Sequence, residues 1–489
     1  MRHTRLVRIV VLAAPLAFGA CSLKSPPNRE QLAREAMRNT QVPPAWTKGT
    51  SSPEAVVADW LPAFGEPRLN ALVAEALEYN SDLSASAARI EQAAAGLKIA
   101  GGALTPAVDV LGRANHKVKG GGSTDITGAI LSASWEIDVW GRVRYGVRAA
   151  DEDYGSAQAD YEYARQSIAA LVAKSWLVAA EASLQREIAR DSIGASERTA
   201  ELARVRSRVG SGDDRDVALA DASLQAYRDT IRQLEYSREQ ALRVLEVLAG
   251  RYPAATLDAA TTLPVLPPTP AAGLPAQLLE RRPDVFAAER RVAAAFSRVG
   301  EAKAAQLPRI SLTAGLSFVT RSFYVRESPE KTSAAIGALL QWPLFSGGAL
   351  EGQVDLRTAE QKRAVAEYAA IGLKAFNEVE SALSAEATLI DREQLLRQLT
   401  VENERAVRLS EVSFKVGKID QRSVLTDQLQ LYASRVQLLR VQSEMLAQRV
   451  NLYLALGGGV SPAGAGAPTA EAPVGAPQSA AVVVSQQKR

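Results

Sequence analysis

In 489 residues this chain has one cysteine, two histidines and three methionines, almost nothing from which to build a reactive centre. One histidine, His3, sits in a leader expected to be removed, which leaves His116 alone. A Cys/His metal site or a Ser-His-Asp triad cannot be assembled within one chain from that stock. A Walker-type glycine loop is missing, and so is any compact acidic cluster with turn glycines of the calcium-loop kind. The chain is therefore expected not to be an enzyme, and to hold no metal and no cofactor beyond a covalent lipid described below. Charge of one sign is lacking as well. Of 57 basic and 54 acidic residues, three arginines lie in the leader, so the mature chain carries 54 of each. A neutral chain gives no reason to expect a nucleic-acid partner. After the leader, no apolar run approaches the ~18 residues of a membrane-crossing helix, so none is expected.

The leader itself is clear. Residues 1–20, MRHTRLVRIVVLAAPLAFGA, begin with Arg2, Arg5 and Arg8, continue as an apolar run and end in small residues. That is the pattern of an export signal. The single cysteine, Cys21, follows at once, and LAFGACS resembles a bacterial lipoprotein signal, in which that cysteine is lipidated. Ser22, in place of an aspartate, implies sorting to the outer membrane. The plainer alternative is an ordinary cleaved signal with an incidental thiol. One acyl chain alone is a marginal anchor, so a second hold on the membrane is expected.

What the sequence has in abundance is Ala, Leu, Val, Arg, Gln and Glu, arranged twice. NSDLSASAARIEQAAAG at 80–96 aligns with RPDVFAAERRVAAAFSR at 282–298, and RVGSGDDRDVALADASL at 208–224 aligns with KVGKIDQRSVLTDQLQL at 415–431. Each half reads as short helix, helix, two strands, very long helix, turn and long helix. The expected division is 1–20 signal, 21–67 N-terminal belt segment, 68–260 first repeat, 261–275 Pro-rich linker, 276–459 second repeat and 460–489 disordered tail. Strands are expected at about 107–118, 126–136, 308–320 and 333–343, and long helices at about 144–209, 213–249, 350–416 and 420–456.

QLPRISLTAGLSFVT at 306–320 is the cleanest strand. Ile310, Leu312, Ala314, Leu316 and Phe318 share one face, and Ser311, Thr313, Gly315 and Ser317 share the other. This is period-two alternation at the length a tilted strand needs to cross a bilayer. Four strands cannot close a useful barrel, and an open edge in lipid leaves backbone groups unpaired, so several chains would have to pool their strands. The two longest helices run over sixty residues without proline, or about 100 Å, too long for a globular core.

The last helix carries two heptad lines. One runs through Leu425, Leu429, Tyr432, Val436, Leu439, Ser443, Leu446, Val450 and Tyr453, the other through Leu431, Ser434, Leu438, Val441, Met445, Gln448, Leu452 and Ala455. They lie roughly 150° apart around the helix, so it should have a neighbour on each side, like a stave. The first-half counterpart shows one seam, Leu224, Tyr227, Ile231, Leu234, Ala241, Leu245 and Leu248, with a polar opposite side. A four-helix bundle is the simpler alternative.

The segments DWLPAFGEPRLNALVAEALEYNSDL, LERRPDVFAAERRVAAA, QLPRISL, WEIDVWGRVR, QWPLFSGG and VNLYLALGGG, in this order, resemble the TolC-type outer-membrane channels, and most closely their lipoprotein branch, the OprM-like outer-membrane factors of RND efflux pumps. The resemblance covers the mature chain to about Gly459. It implies a membrane all-α plus β-barrel fold: a homotrimeric channel-tunnel in which four strands and long helices per chain make a shared twelve-stranded β-barrel and twelve-helix α-barrel. It further implies a passive exit duct of a tripartite efflux pump in the bacterial outer membrane, lipid-anchored and extending into the periplasm. The partners would be outer-membrane lipid, a periplasmic adaptor protein and an inner-membrane RND-type pump. A type I protein-secretion duct and a non-channel helical envelope lipoprotein are the competing functions.

The repeated turns VGSGDD and VGKID join the long helices and should lie at the tunnel tip, with Gly210 and Gly417 as candidate adaptor contacts. Family members carry aspartates near this turn that constrict the closed pore. Carried over, this makes Asp420 the main candidate for the periplasmic gate, with Arg422 and Asp213 as secondary candidates, although Asp420 falls one position from where the OprM-like motif has its acid. The alternative for Asp420 is a helix cap.

Overall fold

The structure, a computed structural model, describes residues 23–48, 59–115, 126–259, 261–320 and 331–459. Cys21, His116 and the tail from 460 lie outside the described residues, as do both hairpin tips of the sheet. Along the chain come α1 (Arg29–Ala36), a short 3-10 turn (Leu61–Phe64), α2 (Pro67–Tyr79), α3 (Ser81–Gly102), β1 (Ala107–Asn115), β2 (Ile126–Ile137), α4 (Arg142–Arg208) and α5 (Asp214–Leu248). The second half supplies α6 (Pro275–Arg281), α7 (Pro283–Ala304), β3 (Arg309–Thr320), β4 (Lys331–Gln341), α8 (Ala349–Lys415) and α9 (Gln421–Ala455).

The internal repeat is metrically strict. α3 and α7 have 22 residues each, α4 and α8 have 67, and α5 and α9 have 35. Local chemistry sets the boundaries. Asn80 caps α3 by accepting from the Asp82 and Leu83 amides, and Pro283 opens α7 in the first turn, where its missing N–H is no loss. At 1.5 Å per residue, α4 and α8 each extend roughly 100 Å.

The four strands form one antiparallel sheet in the order β1-β2-β3-β4. The halves meet at β2 and β3, with Thr127 opposite Thr320 and Ile137 opposite Ile310, while β1 and β4 are free edges. The β3–β4 pairing sets Leu316 against Ala334 and Leu312 against Ala338, so the apolar faces of the two strands coincide.

Below the sheet, α4 is flanked by α3 and α7; further along it is flanked by α5 and α9. α9 lies between α4 and α8, as its two heptad lines require, and α5 packs on α4 through its single seam. Most members of the α9 lines are buried or half-buried, but Leu429, near the tip, stays 45% exposed. α8 has α7 and then α9 on one side and α1 and α6 against its middle; between that middle and the tip no other described element covers it. That bare side is apolar, with Leu395, Leu399, Leu409, Val412 and Val416 exposed.

Two cores sit midway along the molecule. One gathers α2, α4, α5 and α9 around Trp60, Trp176 and Leu245, with Trp60 stacked on Tyr453 at 5.6 Å. The other joins α1, α6, α7, α8 and α9 around Leu32, Val285, Tyr368 and Leu452. α4 contains a stretch long and apolar enough to cross a membrane, contrary to the sequence expectation that none exists. Ile168, Val172, Ala173, Trp176, Leu177 and Ala180 from this region are instead the wall of the first core. The alanines let the helices approach closely, so a core wall acquires the composition of a span.

The non-helical segments are pinned to this middle by buried charges. Arg282, 1% exposed, binds Asp284 (2.7 and 2.9 Å), Glu378 (2.6 Å) and the Ala455 carbonyl. Arg449 binds Glu386, the Pro267 carbonyl and Thr269, which ties the Pro-rich linker to α8 and α9. Glu246 accepts from the Ala255, Thr256 and Leu257 amides at 2.6, 2.7 and 3.0 Å. Burial opposes its charge, but the three amides prevail and hold its pKa below the usual glutamate value.

The N-terminal segment is a strap stitched along the outside of this scaffold. Leu23 lies against Gly141, and the Lys24 amide donates to Tyr145 Oη at 2.9 Å. Arg29 pairs with Glu289 at 2.7 Å, and Met37 covers Gly372. Trp46 donates to the Ala272 and Gly273 carbonyls, and Thr47 binds Glu380.

Candidate functional site: the tip of the two long hairpins

The α4–α5 and α8–α9 connections close in the same way. The Ser211 amide reaches back to the Arg206 carbonyl at 2.9 Å, and the Lys418 amide to Ser413 at 2.9 Å. Such a closure needs a left-handed residue just past the helix, and Gly210 (φ 70°) and Gly417 (φ 72°) provide it. A Cβ at either would meet nothing within 4 Å, so glycine is required there for its backbone and not for space. Gly212 is different: a Cβ there would lie 2.8 Å from Arg206 Cβ and 2.9 Å from the Ser207 nitrogen. The repeat does not mark this glycine, since its counterpart in the second half is Ile419.

Both candidate aspartates are helix caps. Asp213 accepts from the Arg215 amide at 3.0 Å at the start of α5. Asp420 accepts from the Ser423 amide at 2.9 Å and the Ser423 hydroxyl at 2.6 Å at the start of α9. The Ser423 hydroxyl, then its amide, hold the Asp420 carboxyl below its ordinary pKa, so it is an exposed, firmly ionised anion.

The tips of the two hairpins are clasped together. Arg422 Nη2 stands 3.7 Å from Asp216 Oδ1, linking the first turns of α9 and α5. Gln421, 3% exposed, donates to the Thr199 carbonyl of α4 at 2.6 Å. The Arg206 guanidinium covers the Phe414 ring at 4.3 Å, and Leu425 fills the space between Ala200 and Ala220. Tyr227 and Tyr432 meet edge-to-face at 4.9 Å, and burial raises the Tyr227 pKa to about 12. Between the hairpins runs a groove of about 430 Å³ lined by Arg198, Thr199, Leu202, Phe414, Gln421 and Val424.

Among the sequence candidates, then, Arg422 is an inter-hairpin contact, Asp420 and Asp213 are caps, and Gly210 and Gly417 shape the turns. Asp216, Gln421, Arg206 and Phe414 escaped the sequence reading, since their partners lie far away along the chain. Cys21 is outside the described residues. The tip is a junction at which two rods are held together by a few side-chain contacts.

Comparison with known proteins places this arrangement. The family described as outer membrane efflux protein matches residues 72–251 and 274–458. The chain is 32% identical to the pyoverdine export outer membrane protein OpmQ of Pseudomonas aeruginosa, over 92% of this chain and 96% of that protein. It is 30% identical to the toluene efflux pump outer membrane protein TtgF of Pseudomonas putida, over 82% and 85%. Among solved structures it is similar to the outer-membrane channel OprN, with a TM-score of 0.78, 25% identity and coverage of 86% of this chain and 98% of that one.

Proposed function

The chain belongs to the outer membrane efflux protein family, and from that premise we propose that it works as a lipid-anchored homotrimer whose tip opens to a periplasmic adaptor and an inner-membrane RND-type pump. It is an outer-membrane exit duct for efflux. The pump supplies the energy and the duct conducts small toxic compounds passively, so its work is transport and not catalysis.

One observation carries the trimer: every layer of the protomer has two unfinished edges. The sheet ends in β1 and β4, the upper helices in α3 and α8, the lower helices in α5 and α8. The exposed apolar side of α8 and the bare sides of α3 and α5 are each satisfied when one protomer's α8 meets the next protomer's α3 and α5. The same step joins β4 to β1 and removes the sheet edges, as lipid demands. Three copies give twelve strands and twelve staves. Trp135, Trp140 and Trp342, all partly exposed near the sheet–helix junction, suit the aromatic girdle of a membrane boundary.

Leu23, two residues after Cys21, is seated against Gly141 at that same junction. This supports lipidation at Cys21, because the start of the described chain lies at the membrane end of the duct. At the other end, Asp420, with Arg422 and Asp213 nearby, is the gate, and the turns at Gly210 and Gly417 meet the adaptor. An acidic ring of three Asp420 carboxylates would favour cations at the closed tip.

Detergent-extracted protein should run as a trimer that dissociates on boiling and should conduct ions in planar bilayers. A non-conducting monomer would refute the reading. For the anchor, radiolabelled palmitate should enter the wild type and not Cys21→Ser; equal labelling of both contradicts it.

A further inference from the structure

We propose that Arg309 forms a positively charged collar where the barrel meets the tunnel, and that this collar favours small anionic cargo, such as compounds bearing carboxylates or phosphates. The inference rests on the duct reading above.

Arg309 is the first residue of β3. Residues two apart on a strand share a face, so it stands in line with Ser311, Thr313, Gly315 and Ser317, the polar face that a barrel turns to its lumen. Its place is fixed by Trp140, whose Nε1 donates to the neighbouring Pro308 carbonyl at 2.7 Å. Opposite Arg309 on β4 is the neutral Gln341.

The two acids that face it from the β2 side are already engaged. Glu136 pairs with Ser311 in the register, which makes it a diagonal neighbour of Arg309 at about 7–8 Å on the same face. Both its oxygens are taken by Arg142, at 3.0 Å from Nε and 2.8 Å from Nη2. Asp138, one residue past the end of β2, is held by the Val143 and Arg144 amides and by Arg144 Nε at 2.9–3.0 Å. A third acid, Glu301 of α7, lies beside Gly146 and acts on Arg142, and none of the three forms an ion pair with Arg309. Among the described residues it has no ion pair, and its Nε is shielded from water without a hydrogen-bond partner. Asp109 lies on the same face through its pairing with Ser132, but in the row of Gly315, six positions beyond Arg309. That is about 20 Å along the strand, more than two Debye lengths of ~8 Å at physiological ionic strength, so the two charges form separate rings.

Twelve strands about 4.8 Å apart and tilted about 40° enclose a ring of roughly 12 Å radius. An arginine reaching inward from that wall brings its charge within about one Debye length of the axis. Three such charges act on anything passing through, as arginine rings do in anion pores.

The test is the reversal potential of purified trimers in planar bilayers under a KCl gradient. At about 10 mM salt, where screening extends to ~30 Å, Arg309→Gln should lower the chloride-to-potassium permeability ratio several-fold, and Arg309→Glu further. Arg309→Lys should keep the wild-type ratio. Gln341→Glu, which places a carboxylate opposite the arginine without removing it, should mimic Arg309→Gln. The differences should vanish near 1 M salt, where the Debye length is ~3 Å. Conducting trimers of Arg309→Gln and Gln341→Glu with the wild-type reversal potential would overturn the collar and leave the duct intact. A wild type that never conducts would overturn the duct reading and the collar with it.

Discussion

Breaking the Arg422–Asp216 contact should loosen the closed tip, and its geometry sets how much. At 3.7 Å two unit charges attract by about 1 kcal/mol in bulk water, and more where water is partly excluded. Arg422 is 48% exposed and Asp216 24%, so the contact is a semi-exposed pair that screening and side-chain entropy reduce to about 0.2–1 kcal/mol. The proposed trimer has three copies acting on one opening, which brings the total to about 0.6–3 kcal/mol, or roughly 3- to 150-fold in the open-to-closed ratio. Arg422→Ala and Asp216→Ala should each raise the open probability of single channels by a factor in that range. The double variant should do no more than either single, since the interaction can be lost only once. The gain should shrink at high salt, where the wild-type pair is itself screened. If the singles leave gating unchanged, or if their effects add in the double, the contact is not a latch.

Asp420→Ala should cost about 1 kcal/mol of local helix stability through the lost cap, and as a gate variant it should also raise conductance and lower cation selectivity. Normal trimers with unaltered conductance and selectivity would remove Asp420 from the gate. Gly210→Ala and Gly417→Ala force a side chain into the left-handed region at about 1–2 kcal/mol each, whereas Gly212→Ala has no such strain but drives its Cβ into Arg206 and the Ser207 backbone nitrogen and should melt lowest of the three; the opposite order of melting temperatures would contradict the turn geometry. Glu246 has a folded pKa below that of an unfolded glutamate, so its contribution is complete above about pH 4.3 and is lost as pH falls through the folded value. Hydrogen exchange at the Ala255, Thr256 and Leu257 amides should therefore accelerate in acid. Glu246→Gln should show fast exchange at neutral pH, at a cost on the order of 2 kcal/mol, and protection independent of pH in the wild type would refute the assignment.

How much of this was legible in the sequence depended on the range of the interaction. β3 announces itself because its alternation is local, and β4 follows by pairing. β1 is harder to read, since Val108, Val110 and Leu111 put apolar groups on both faces of an edge strand that one neighbour alone constrains. The long helices end within a residue or two of the glycines that mark their turns. The two seams of α9 foretold its two neighbours because heptad spacing encodes helix-to-helix contact directly. The clasp at the tip left no such trace. Gln421 is an ordinary first-turn residue until the Thr199 carbonyl, more than two hundred positions earlier, arrives beside it. Arg282 and Arg449 likewise look like surface charges in the sequence, and only folding shows that each has enough carboxylate and carbonyl partners to be buried. Asp420 was ambiguous for a different reason: an aspartate before a helix has the same appearance whether it caps or also guards a pore.

The strap along the outside has a mechanical consequence. Its stitches fall on α4 at Tyr145, α7 at Glu289, α8 at Gly372 and Glu380, and the linker at Gly273. Glu380 is thirty-one residues along α8 from Ala349, or roughly 45 Å from the sheet end of that helix. A tug on the N-terminus, such as the proposed lipid on Cys21 would transmit, runs along the staves and loads the stitches together in shear. It does not peel them off one by one. The tension enters beside Gly141, at the head of α4, and is delivered to the waist, where Trp46 is lodged in the second core. With the proposed anchor in place, the strands would be spared the strain of that mooring.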